Sequence, residues 1–183
     1  MFFDNYFTSL QGSISSIESN ELSNIANLFL QTSINGKKII FVGNGGSASI
    51  ASHLTIDCIN AISLRAVNFN ESSIITCLAN DFGYENWITK AIDFYGDKGD
   101  LIVLISSSGQ SANMINGAKK ALLKGLRVVT LTGFLKDNPL SKLGEINLWV
   151  NSIEYNKVEM THHIWLLSIV DFIAESAKKE SES

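Results

Sequence analysis

The chain has 183 residues, 45% of them hydrophobic and 17% charged, with a net charge of -4. That is enough to bury one substantial core and too little for two ordinary domains, so a single domain over 1–183 is expected. A sequence pI near 5.3 offers no broad basic field, which argues against nucleic acid as a partner while leaving room for a small anion held locally.

Taken in chain order, residues 1–33 place Ile14, Ile17, Leu22, Ile25, Leu28 and Phe29 at helical spacing with no proline, predicting one long or two consecutive helices. Asp4 directly follows Phe2 and Phe3, and no basic segment leads into a long apolar run. No signal peptide is therefore expected, and the reading is cytoplasmic. A strand over 38–42 ends in Gly43-Asn44-Gly45-Gly46-Ser47, and a helix follows to about residue 60. The pattern repeats with strand 64–69, helix 72–80, strand 100–105 and helix 110–124, which Gly125 stops. Strand 127–131, a short strand 148–150 and a last helix over 158–176 complete the order, leaving 177–183 as a disordered tail.

The most apolar stretch, 164–174, is interrupted by Ser168 and Asp171 and falls short of the roughly 20 residues a membrane span needs. No membrane association is expected. Cys58 and Cys77 lack the spacing of a metal knuckle and the density of a disulfide scaffold, so both are read as reduced core thiols.

Strands alternating with helices predict right-handed crossovers and a parallel sheet covered on both faces. Ligands of such sheets bind beyond the carboxyl ends of the strands, where free N–H groups at helix starts attract anions. Two loops have the composition for this. In the first, over 43–47, glycines permit close backbone approach, and in the second Ser106, Ser107, Ser108 and Ser111 offer four hydroxyls that can donate to phosphate without adding charge. Either loop alone also reads as a turn with an N-cap serine; two such loops after neighbouring strands favour a ligand. The first loop satisfies the dinucleotide fingerprint G-x-G-x-x-A as well. That reading needs an acidic residue closing the second strand, and Glu71 comes late, so no nucleotide cofactor is expected.

GNGGSA before a helix, ANDFG at 79–83, ISSSGQS at 105–111 and VTLTG at 129–133 together resemble the successive signatures of the phosphoheptose isomerase branch of SIS domains. The resemblance spans nearly the whole chain. It implies a flavodoxin-like three-layer α/β fold with a five-stranded parallel sheet, a homotetramer with shared sites, and a heptose 7-phosphate substrate used for envelope or capsule sugars. It also implies that Ser106, Ser107, Ser108 and Ser111 hold the phosphate, while Asn44, Gly45, Gly46, Ser47, Asn80 and Asp81 line the sugar.

Moving a carbonyl between neighbouring carbons needs a base for a carbon-bound proton, and an acid or metal for the enediolate. By the resemblance His53 matches a metal ligand, and Asp57 stands where the family has a glutamate serving as base and second ligand. Glu159 matches a glutamine, and Leu167 replaces the histidine expected eight residues later. His163, four residues after Glu159, shares the helix face of Leu167 about one turn (5.4 Å) nearer the helix start. His53, Asp57, Glu159 and His163 thus form two i, i+4 pairs, a set that suits Zn²⁺ if the two helices face each other. The plainer readings are a solvated carboxylate for Asp57 and a helix-interface side chain for His163; of His162 and His163 only one can share that face. Asp57, Glu159 and His163 are the expected catalytic residues, with Glu159 also at the substrate. The rival expectation is a catalytically silent sugar-phosphate-binding tetramer acting through protein partners, as one similar SIS branch does with replication initiation proteins.

Overall fold

The computed structural model describes residues 1–181, with side chains through residue 179. The N-terminal segment forms two helices, α1 (Phe2–Ile14) and α2 (Ser19–Ile34). Then follow β1 (Ile39–Gly43), α3 (Gly46–Ile62), β2 (Ala66–Asn68), α4 (Ser72–Phe82), α5 (Trp87–Tyr95), β3 (Leu101–Ser106) and α6 (Ala112–Lys124). β4 (Arg127–Thr132), β5 (Ile146–Trp149) and α7 (Tyr155–Ser181) close the chain. All pairings are parallel and the sheet order is β2-β1-β3-β4-β5, the doubly wound order of flavodoxin-like folds.

The strands read as continuous apolar runs because both faces are covered, and the period of two splits each run between two cores. Ile39, Phe41, Leu101, Val103, Ile105, Val129 and Leu131 join α2, α3 and α7 in one core. Ile40, Val42, Ile102, Leu104 and Val128 join α4, α5 and α6 in the other. Helix α1 buries none of its residues and is tied down by the Trp165 indole N–H, which donates to the Ile14 carbonyl at 2.8 Å. Lys38, at the amino ends of the strands, contacts Asp100 at 2.6 Å and Asp97 at 2.7 Å and so staples β1 to the turn before β3. The carboxyl ends at the opposite edge are left free for loops.

Four readings from sequence need correction. Helix α5 falls in a stretch left without an element, although Trp87, Ile88, Ala91 and Ile92 bury one face at helical spacing. β2 is shorter than 64–69, because only 66–68 reach a partner strand. α7 runs on through Ser181 into the segment expected as a tail; residues 182–183 lie outside the described residues. Cys58 is buried as expected, but Cys77 is exposed on α4, its thiol 3.8 Å from an Asp81 carboxylate oxygen. Among the described residues, no helix is long and apolar enough to cross a membrane.

Candidate functional site at the carboxyl ends of the strands

β1 ends at Gly43 and the chain turns within two residues into α3, with Gly45 at φ 55°, a conformation that favours glycine. β3 ends at Ser106 and turns through Ser107 to Ser111 into α6. Both helices therefore present unpaired N–H groups to the same space beyond adjacent strands. That space is a pocket of about 90 Å³ lined by Asn44, Ser47, Ile105, Ser106, Ser107, Ser108, Ser111, Tyr155 and Glu159.

The pocket wall is hydroxyl-rich and lacks a cationic side chain, so an anion there would be met by N–H groups, helix dipoles and serine hydroxyls. The serines are not equivalent. Ser108 Oγ accepts from the Gln110 N–H at 3.2 Å and Ser106 Oγ from the Gly109 N–H at 3.3 Å, so both shape the loop. Ser107 Oγ is buried with no partner, and Ser111 at the α6 N-cap makes no side-chain cap bond. A buried hydroxyl without a partner costs free energy on the scale of a hydrogen bond, and a ligand oxygen would supply what is missing.

On the first loop, the Asn44 amide pairs reciprocally with that of Asn113 at 3.1 and 2.9 Å, and the Tyr84 hydroxyl donates to Asn44 Oδ1 at 3.1 Å. Asn44 is thereby held from α6 and from the turn after α4. Gly46 lies against the Glu159 carboxylate so closely that a Cβ at Gly46 would overlap it. Burial raises the pKa of Glu159.

Tyr155, Asn113 and Tyr84 escaped the sequence reading. Tyr155 stands beside the pocket with its ring edge-on to Phe134, centroids 4.9 Å apart. Asn113 was findable, since the serine loop runs straight into the helix carrying it. Asn80 and Asp81, bonded to each other at 2.9 Å near the end of α4, are exposed and outside the pocket wall. Gly45 serves as the turn beside that wall.

Helix α3 packs on α7 and brings His53, Asp57 and His163 together just beyond the wall. His53 Nε2 lies 3.2 Å from Asp57 Oδ2, and His53 Nδ1 lies 2.8 Å from His163 Nε2, the two rings crossing at 84°. The pKa of His163 is lowered by burial and by the neighbouring His53, against a smaller opposing pull from Asp57. His162 points the other way, fully buried, its Nε2–H donating to the Thr132 carbonyl at 3.1 Å. Leu167 packs against the core and offers no donor.

The four-ligand zinc set expected from the sequence is not assembled here. Asp57 and His163 engage opposite nitrogens of one ring, and the Glu159 carboxylate lies against Gly46. As placed, the two nitrogens are 2.8 Å apart, the spacing of a hydrogen bond and closer than the roughly 3.3 Å between nitrogen ligands of a tetrahedral zinc. Among the described residues, no group of three or more His, Cys, Asp and Glu side chains could hold a metal ion.

A doubly wound α/β domain with a serine-rich pocket at its strand ends is the class these features define. The SIS domain family model matches residues 3–133, and the chain belongs to that family. It is 30% identical over 190 residues to a phosphoheptose isomerase of Colwellia psychrerythraea, covering 98% of this chain and 97% of the relative. A phosphoheptose isomerase of Glaesserella parasuis is 32% identical over 147 residues, covering 77% of this chain and 76% of the relative. Among solved structures, a phosphoheptose isomerase from Neisseria gonorrhoeae superposes with a TM-score of 0.87 at 27% identity, covering 94% of this chain and 97% of the other.

Proposed function

We propose that this chain is a phosphosugar isomerase that interconverts sedoheptulose 7-phosphate and an aldoheptose 7-phosphate through an enediolate. The observation that carries the reading is the unpartnered, buried Ser107 hydroxyl in a serine pocket at two helix starts, in a chain whose full-length relatives are named phosphoheptose isomerases. The phosphate sits on Ser107 and Ser111 with the loop N–H groups, and the sugar extends past Asn44 and Glu159 toward Asp57. Asp57 removes the carbon-bound proton. Glu159, on the pocket wall and with a raised pKa, is the candidate acid; His163 lies with Asp57 beyond the wall, its Nε2 engaged by His53.

A homotetramer with shared sites is part of this proposal. Ile56 on α3 and Met160 and Ile164 on α7 are 54%, 42% and 40% exposed around the His53, Asp57 and His163 cluster, apolar surface that a neighbouring copy would cover. The rival reading, a catalytically silent binder acting through protein partners, is favoured by Leu167, which packs partly buried against the core at the position where the resemblance implies a histidine. Incubation with sedoheptulose 7-phosphate, with aldose formation followed by NMR, separates the two. Turnover abolished by Asp57→Asn supports the isomerase; tight binding of the phosphosugar without turnover selects the rival.

A further inference from the structure

His53 stands between two groups whose demands on its protons differ. A carboxylate only accepts hydrogen bonds, so the ring nitrogen facing Asp57, Nε2, carries the proton. A neutral imidazole holds one N–H, which leaves His53 Nδ1 as an acceptor. With His53 neutral, the group 2.8 Å from that nitrogen, Nε2 of His163, is the donor; a doubly protonated His53 would reverse this contact. One arrangement of protons thus satisfies both contacts with both rings neutral: each histidine is the Nε2–H tautomer, and the donors run from His163 to His53 to Asp57. No rearrangement of the two helices is needed, because i, i+4 spacing on α3 stacks His53 and Asp57, and the α3 and α7 packing delivers His163.

We propose that this chain of hydrogen bonds is a positioning device, in which His163 fixes the tautomer of His53 and His53 holds the Asp57 carboxylate in one orientation, in place of a metal shared by these residues. The role of Asp57 as base rests on the isomerase reading; the proton arrangement does not. His53 and His163 are positioning residues here, acting through Asp57. Without the donor at His163, the neutral His53 ring can turn over or adopt its other tautomer, and Asp57 loses its fixed partner.

Two measurements test it. Long-range ¹H–¹⁵N NMR of the histidine-labelled protein near neutral pH should find His53 and His163 both protonated at Nε2 and unprotonated at Nδ1. His163→Ala should change the His53 signals; a His53 ring protonated at Nδ1, or one indifferent to His163→Ala, overturns the proposal. Added Zn²⁺ should leave both rings unshifted at stoichiometric concentration, and a shift of both would restore the metal reading. In turnover, His163→Ala should lower kcat by about tenfold or more, the scale of the His53 hydrogen bond to the charged Asp57 that is lost when His53 is released, with KM within about twofold. His163→Gln should recover much of that loss, because the glutamine amide N–H can donate where imidazole Nε2 did, although it is a poor metal ligand and no acid. Equal loss in the Ala and Gln variants overturns the positioning role. Absence of turnover in the unaltered protein with both tautomers as stated would sink the isomerase reading and leave the proton arrangement intact.

Discussion

Gly46 and Glu159 occupy one volume: a methyl group on the first residue of α3 would overlap the carboxylate that α7 places beside the pocket. The obstacle is the end of a flexible side chain, so Gly46→Ala should fold, with a thermal midpoint within a few degrees of the parent. Its cost should appear in the pocket, where Glu159 is pushed toward the ligand. Calorimetry should show phosphosugar affinity reduced by about tenfold or more, and Gly46→Ala with Glu159→Ala should bind better than Gly46→Ala alone. A large loss of stability in the single variant would mean that Glu159 cannot move aside.

Ser107 and Ser111 offer a different signature, in which stability and binding move in opposite directions. Removing the buried, unpartnered Ser107 hydroxyl should leave the ligand-free protein as stable as before or up to about 1 kcal/mol more stable. The same Ser107→Ala change, and more so the double variant with Ser111→Ala, should weaken a heptose 7-phosphate by about 1.5–3 kcal/mol per lost bond while sparing the unphosphorylated sugar. Ser108 is the less informative target, since its hydroxyl is occupied by the Gln110 N–H. Equal losses for the two sugars would remove the phosphate from this loop.

The strands and both ligand loops were legible because each signal is local. An apolar run such as 101–105 followed by Ser106-Ser107-Ser108-Gly109 announces its own end, and a parallel sheet then puts such ends together. Helix α5 was missed because nine residues between two turns give little periodicity to read. The relation of His53 to His163 was legible only as two i, i+4 pairs on helices expected to face each other. Which ring nitrogen meets which partner depends on how α3 rotates against α7, and spacing within one helix carries no information on that. Tyr155 escaped for the same reason: its place beside the pocket comes from the packing of Phe134, which sits at φ 55° just after β4.

Glu159 should also make anion binding pH-dependent in a way that can be isolated. Its raised pKa means that it takes up a proton more readily than an ordinary carboxyl as the pH falls, and losing that charge removes repulsion of a phosphate in the same pocket. Phosphosugar affinity should therefore rise as the pH is lowered toward that pKa. Because the phosphate titrates with a pKa near 6, the informative quantity is the difference between the parent and Glu159→Gln. The variant should bind more tightly at neutral pH and lack this component; identical profiles would place Glu159 away from the bound anion.

His162 links the core to the pH dependence of stability, and it is no silent control for its neighbour His163. Burial pushes its pKa down to about 4, against an ordinary value of 6.5, and the bond to the Thr132 carbonyl opposes this only in part. Above about pH 6.5 the ring is neutral in both folded and unfolded chains and contributes nothing to the slope. Between about 6.5 and 4 the unfolded chain takes up a proton that the folded chain refuses, so stability falls as the pH falls, by on the order of 3 kcal/mol once both are protonated. Carboxylates add their own slope toward the acid end, so the test is a comparison. His162→Gln, which keeps an N–H directed at Thr132, should flatten urea-unfolding free energies between about pH 6.5 and 4 relative to the parent, whereas His163→Gln should flatten them less, because the pKa of His163 is lowered in a site that is only partly buried. His162→Ala should lose about 2–5 kcal/mol at neutral pH, because it empties a fully buried site. A parent protein equally stable at pH 6.5 and pH 4.5 would mean that His162 accepts its proton in the folded state, and the buried, neutral ring assigned to it here would be wrong.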